Sequence, residues 1–161
     1  MARFPKARLT MTDKPQTPAP EAFERRITEI RIAAALLLRS DGAMLVVRKR
    51  GTTHFMQAGG KIDGGEDAQS ALLRELQEEL GIAPAAAALE DLGMHSAVAA
   101  NEAHSVVHCR LFKADWNGAV MPAAEIEEAR WIMPADAASL LLAPLTRDAV
   151  LPLWQAALRR H

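Results

Sequence analysis

The chain has almost no thiol chemistry and few aromatic rings. Its 161 residues include one cysteine, Cys109, no tyrosine, and only 4% aromatic residues. A single thiol excludes an internal disulfide and fits a reducing compartment, so a cytoplasmic location is expected. Charge of one sign is also missing: the formal net charge is −1. Nothing global therefore draws the chain to a nucleic-acid polymer or to an anionic membrane. The longest apolar runs, such as residues 32–38, are far too short to cross a bilayer. The N-terminus also lacks the apolar core of a secretory signal.

What is present is ordinary for a folded domain: 50% hydrophobic and 24% charged residues, in a length that fits one core. Residues 1–25 carry Pro5, Pro15, Pro18 and Pro20 with little apolar periodicity, and are expected to be a mobile tail. The first ten residues are basic, which leaves organelle targeting as an alternative, and Met11 is a second candidate start. Residues 26–161 are expected to form a single domain.

Order is expected from Ile27. "IRIAAALLL" reads as a strand buried on both faces, Asp41-Gly42 as a hairpin turn, and "AMLVVRKR" as the returning strand. "HFMQAGG" reads as a short strand entering a glycine loop. "LGMHSAVAA" and "SVVHCRLFKA" are two further strands joined by a loop with Asn101, Glu102 and His104. "ARWIM" is a last short strand, and Pro134 opens a helical C-terminus that Pro144 and Pro152 are expected to interrupt. The mixture without strict strand–helix alternation predicts an α/β fold, a mixed sheet sandwiched between helices.

Between these strands lies "GGKIDGGEDAQSALLRELQEELGI". Residues 68–80 predict a helix, with Asp67 as N-cap and Gly81 as the glycine just past its end. At about 100° per residue and with Glu75 at zero, Glu79 falls at about 40° and Glu78 at about −60°. Leu72, Leu73, Leu76 and Leu80 fill the adjoining arc, so the carboxylates flank the buried face. Like charges one turn apart repel, and they sit at the unfavourable end of the helix dipole. Two readings follow from the helix: a solvated acidic face, or oxygen ligands for a hard divalent cation such as magnesium shared with substrate phosphates. The preceding glycines would let backbone approach a ligand closely.

The stretch resembles the Nudix box, G-x5-E-x7-R-E-U-x-E-E-x-G-U, with U a bulky aliphatic residue. Gly60, Glu66, Arg74, Glu75, Leu76, Glu78, Glu79, Gly81 and Ile82 occupy all nine specified positions in register. The order of elements across residues 27–160 also resembles the Nudix fold. The resemblance implies hydrolysis of a nucleoside diphosphate linked to another moiety, by water attack on phosphorus. It implies Mg2+, with Mn2+ as a substitute, held by Glu75, Glu78 and Glu79, with the Gly59 carbonyl as a further donor. Either Glu75 or Glu79 would be the general base, Arg74 would orient a glutamate, and Gly60 and Glu66 would support the loop. The family's substrates include dinucleoside polyphosphates, nucleotide sugars, ADP-ribose and oxidised nucleoside triphosphates. Many relatives carry Leu-Pro before the glycine pair, where this chain has Gln57-Ala58.

Arg48, Lys49, Arg50 and Lys61 are candidates for phosphate contacts, with Arg48 and Arg50 on one strand face and Lys61 in the glycine loop the favoured one. A further acidic ligand is expected from the loop before the last strand, where Glu125 is preferred over Glu127 and Glu128, with Glu102 a weaker choice. The histidines show no zinc-like spacing and read as surface or packing residues, and Phe55 reads as core rather than a base platform. The expected partner is a small nucleoside diphosphate derivative, with no polymer and no membrane; a homodimer is admissible. Two other functions are weighed: a Nudix-fold isoprenyl-diphosphate isomerase, poorly supported by a lone cysteine and no tyrosine, and a non-catalytic nucleotide sensor, for which an eroded box would be expected.

Overall fold

The computed structural model describes residues 26–160; the expected tail and the targeting alternative lie outside the described residues. The strands are β1 (Thr28–Leu38), β2 (Met44–Lys49), β3 (Phe55–Met56), β4 (Gly59–Lys61), β5 (Glu90–Val98), β6 (Ser105–Asp115) and β7 (Ile126–Ile132). The helices are α1 (Ala68–Leu80), α2 (Pro134–Ala137) and α3 (Leu151–Leu158). A π-helical turn, Thr146–Val150, leads into α3.

β1 is the organising strand. It runs parallel to β6 along its whole length, from Thr28↔Ser105 to Leu38↔Asp115. Its other side is shared by β4, antiparallel at Ile32↔Lys61 to Ala34↔Gly59, and by β2 at Leu38↔Met44. β5 extends the sheet beyond β6, while β2 carries β3 and β7. Alternate residues of β1 enter two different cores, as the period of a strand requires. Ala33, Ala35 and Leu37 meet Leu72, Leu76 and Leu80 of α1. Ala34, Leu36 and Leu38 meet Val150 and Trp154 on the opposite side. A strand buried on both faces can carry an unbroken apolar run, which is why residues 32–38 show no alternation. The architecture is the α/β fold expected, a mixed sheet between helices.

The Asp41-Gly42 turn closes with the Gly42 N–H donating to the Arg39 carbonyl at 2.9 Å. The buried Trp154 indole donates to the Gly42 carbonyl at 2.8 Å, which fastens α3 to that hairpin. α1 begins and ends as its sequence predicts. Asp67 accepts from the Ser70 N–H at 2.8 Å, and Gly81 adopts the left-handed conformation with its N–H directed back to the helix carbonyls.

Three expectations need correction. Residues 59–61 form a strand, β4, rather than a glycine loop: without side chains the glycine pair presses directly against β1, where a Cβ on Gly59 would stand 2.1 Å from the Ala33 carbonyl oxygen. The last strand starts at Ile126 rather than Ala129, because Glu128 pairs opposite Arg48 and extends the ladder. Pro144 opens the last helical stretch instead of interrupting it. Pro152 does not break the stretch either. A proline ring clashes with the carbonyl four residues earlier, here Asp148, and the π-helical turn containing Asp148 absorbs that mismatch.

Burial along α1 sets the first expectation. Leu76 is fully buried and Leu73 half-buried. Leu76→Ala should cost about 2–5 kcal/mol in a urea melt, and Leu73→Ala clearly less. Equal losses at the two positions would mean that α1 is rotated from the orientation described.

Candidate functional site

The site forms where α1 lies against β4. Glu79 points inward with only 1% of its surface exposed. Its Oε2 accepts the Gly59 N–H at 3.1 Å. Its Oε1 has no partner, and among the described residues it is the one buried side-chain nitrogen or oxygen atom left so. Burial pushes the Glu79 carboxyl up to about 8; nearby Glu75 and Glu125 push the same way, against the Gly59 N–H and Lys49. No basic residue stands in the last turn of α1 to offset this negative charge. A leucine here would have continued the apolar stripe, so the acid is present at a cost to stability.

Burial of the three box glutamates falls in the order of their angles from the leucine stripe. Glu79 is enclosed, the Glu75 side chain is 15% exposed, and that of Glu78 is 53% exposed. Arg74 gathers the rest. Its Nε and Nη2 donate to the two oxygens of Glu66 at 2.8 and 3.0 Å, and its Nη1 donates to Glu75 at 2.9 Å and reaches Glu78 at 3.5 Å. Glu66 also accepts the Asp63 N–H at 3.1 Å, which pins the connection from β4 to α1. The Arg74 guanidinium holds the Glu66 carboxyl below the usual carboxylate range.

The glycine pair has a reason the sequence did not show. A Cβ on Gly60 would lie 2.4 Å from the Glu75 carboxyl carbon. The close approach expected of these glycines is to the protein's own carboxylate. β4 can fit between β1 and α1 only because Gly59 leaves room for β1 and Gly60 for Glu75 of α1.

A cleft of about 410 Å³ opens from this corner. Its charged lining residues are Lys49, Arg50, Lys61, Glu102 and Glu125. Lys49 Nζ pairs with Glu125 at 2.9 Å, and Lys61 Nζ approaches Glu102 at 3.6 Å. Arg48 is elsewhere, paired with Glu127 at 3.1 Å and Glu128 at 3.3 Å. Arg48 and Arg50 therefore do not share a strand face. A β-bulge falls between Arg48 and Lys49, and the strand ends at Lys49, so Lys49 joins Arg50 at the cleft. Glu125 lies just ahead of β7, as expected, but Glu127 and Glu128 are in the strand. Phe55 is core, covered by the guanidinium groups of Arg48 and Arg130 at 5.9 and 5.1 Å. His108 bonds Ser96 at 2.7 Å and His95 the Leu92 carbonyl at 2.9 Å, both outside the cleft.

Among the described residues, no three His, Cys, Asp or Glu side chains are already gathered as a metal cage. Glu75 and Glu78 are turned toward Arg74 instead. The donor set nevertheless fits a hard divalent ion. It consists of carboxyl oxygens, and the buried, unpartnered Glu79 Oε1 becomes a ligand for a cation once the carboxyl gives up its proton.

A family model described as "NUDIX domain" matches residues 28–154, and the chain belongs to the Nudix hydrolase family. The 8-oxo-dGTP diphosphatase of Escherichia coli (strain K12) is 33% identical over 60 residues, covering 35% of this chain and 46% of that protein. The match thus spans about half the length of that relative. The solution structure of the E. coli ORF135 protein is similar at 27% identity and a TM-score of 0.59, covering 83% of this chain and 91% of that one. The NUDIX domain of Shewanella oneidensis NrtR, solved with ADP ribose, has a TM-score of 0.64 at 21% identity over 88% of this chain and 92% of that one, a likeness of fold.

Glu79 makes stability depend on pH in a specific direction. An exposed glutamate loses its proton near 4.5, whereas folded Glu79 keeps it up to about 8. Between those values the folded state holds the extra proton, so stability falls as pH rises through the window. Carboxyls held low, such as Glu66 and Asp91, act below that window and with the opposite sign. In excess chelator, the melting temperature should drop from pH 5 to pH 8.5, and Glu79→Gln should flatten the drop. Equal slopes in parent and variant would contradict the environment assigned to Glu79.

Proposed function

We propose that the chain is a divalent-ion-dependent pyrophosphohydrolase that cleaves a nucleoside diphosphate linked to another moiety by water attack on phosphorus. The observation that carries the reading is the buried Glu79, anchored by the Gly59 N–H with its second oxygen unpartnered, inside a complete Nudix box. Glu79, Glu75 and Glu78 would hold Mg2+ or Mn2+, with the Gly59 carbonyl and Glu125 as further donors. The ion, when bound, neutralises diphosphate charge and makes water a better nucleophile. Arg74 keeps Glu75 oriented from one side, and Glu66 keeps Arg74 in place. The general base is one of Glu75 and Glu79.

Lys49, Arg50 and Lys61 line the cleft and supply positive charge for phosphate oxygens. Arg48, tied to Glu127 and Glu128, holds β2 to β7 and has no substrate role in this reading. Cys109 is in the core with its thiol pushed up to about 12, so it gives the isomerase alternative no acid or base in the cleft. Among the described residues no helix is long and apolar enough to cross a membrane. The reading places a small nucleotide derivative, rather than a polymer or a lipid surface, in the cleft, in the cytoplasm.

The test is a panel of nucleoside triphosphates, nucleotide sugars, ADP-ribose and dinucleoside polyphosphates with Mg2+, with products separated by chromatography. A nucleoside monophosphate or phosphate product should appear with the ion and disappear with chelator. Mg2+ should also raise the melting temperature. Glu79→Gln should fold at least as well as the parent yet lose on the order of a hundredfold in rate, about 3 kcal/mol of transition-state stabilisation. Turnover within a few-fold of the parent would refute the role given to Glu79.

A further inference from the structure

The lining of the cleft includes a buried polar pair that the chemistry above does not use. Gln57 is 6% exposed and Thr146 is 0% exposed, and both line the cleft. The Thr146 hydroxyl donates to Gln57 Oε1 at 2.6 Å, across 89 positions of sequence. The Gln57 amide nitrogen has only the Met44 thioether, at 3.6 Å, as partner. A thioether is a weak acceptor, and a side-chain amide carries two N–H groups. A buried amide is costly unless its hydrogen bonds are made. Here the acceptor is satisfied, while the donor has one weak partner for two N–H groups.

The surroundings fit a flat ring. Ile30, Ile32, Val107 and Leu145 contribute apolar wall, and among the described residues no aromatic side chain lines the cleft. Ile30 is buried and Ile32 packs at the margin of the cluster around Trp154, and both line the cleft. Thr146 opens the π-helical turn, a local widening of a kind often found at functional sites. The basic lining residues, Lys49, Arg50 and Lys61, are left for phosphates.

Resting on the pyrophosphohydrolase reading, we infer that Gln57, with its carbonyl locked by Thr146, reads the nucleobase as a hydrogen-bond donor, so that the substrate is a nucleoside diphosphate derivative with a keto-bearing base. A free glutamine can offer a donor and an acceptor together, the pattern that suits adenine. With its oxygen already bonded and held by Thr146, Gln57 offers chiefly N–H. Guanine and uracil present a carbonyl oxygen where adenine and cytosine present an amino group. An amino group brought to Gln57 sets donor against donor in an apolar pocket and leaves both unpaired. Gln57 touches the base, and Thr146 is the positioning residue behind it.

The experiment uses the full chain with Mg2+. Binding of GMP, UMP, AMP and CMP is measured by calorimetry, and hydrolysis of the matching triphosphates is measured alongside. The parent should bind GMP and UMP about tenfold more tightly than AMP and CMP, the scale of one neutral hydrogen bond made or lost. Gln57→Leu should erase the preference, with the change falling mainly on KM. Gln57→Glu, which offers acceptors, should turn it toward AMP and CMP. Thr146→Val, which frees the Gln57 oxygen, should narrow it. The inference is overturned if the parent binds all four alike, prefers the amino bases or binds none, or if folded Gln57→Leu keeps the parent's ratio. Because the parent's ratio decides alone, variants that fail to fold do not rescue it. Hydrolysis without base preference would sink the reader and leave the hydrolase. Keto preference in binding without any cleavage would sink the hydrolase and leave the reader.

Discussion

A carboxylate held out of water beside a backbone amide is the constraint on which the rest of the site depends. Glu79 stands at the seam between α1 and β4, with one oxygen bonded to Gly59 and one bonded to nothing. That placement needs β4 pressed between β1 and the helix, which needs glycine at 59 for β1 and at 60 for the helix. It needs α1 held at a fixed depth, which the leucine stripe and the Asp67 and Gly81 caps provide. It also needs the loop between them to be short and tied, which the Glu66–Arg74 pair does. Each box residue is thus explained by what it does for its neighbours before any ligand is considered.

The charges in the cleft are balanced in pairs that a ligand would rearrange. Lys49 neutralises Glu125 and lies close enough to oppose the proton affinity of Glu79. Lys61 faces Glu102. Arg74 draws Glu75 and Glu78 to one side, so the metal ligands are present but not yet convergent. The lysine pairs and Arg74–Glu78 are at the surface and individually weak, while Arg74–Glu75 is part-buried. A divalent ion or a diphosphate meets partners that can be redirected at little cost, while the buried Glu79 and the glycine pair stay fixed.

Much of this was legible in the chain. The helix limits, both caps and the order of burial of Glu79, Glu75 and Glu78 follow from spacing and helix geometry alone. The buried run of β1 was legible because a two-faced strand needs no alternation. β4 was not, since a strand of Gly-Gly-Lys has neither propensity nor pattern, and its pairing with β1 is a tertiary fact. The bulge that sends Lys49 rather than Arg48 into the cleft was hidden for the same reason. Gln57 stood out only as a departure from a familiar pattern; its partner Thr146 lies 89 positions away, and no local signal joins them.

The central claim is that the unpartnered Glu79 oxygen is the seat of a divalent cation, and proton release on metal binding tests it most directly. Titrating the protein with Mn2+ by calorimetry at pH 7, in buffers of different ionisation enthalpy, counts the protons released. With its carboxyl pushed up to about 8, Glu79 is mostly protonated at that pH and must lose its proton to ligate. The account predicts release of close to one proton by the parent and almost none by Glu79→Gln, together with weaker binding to the variant. Binding of equal strength to both proteins, with no proton released by either, would contradict it.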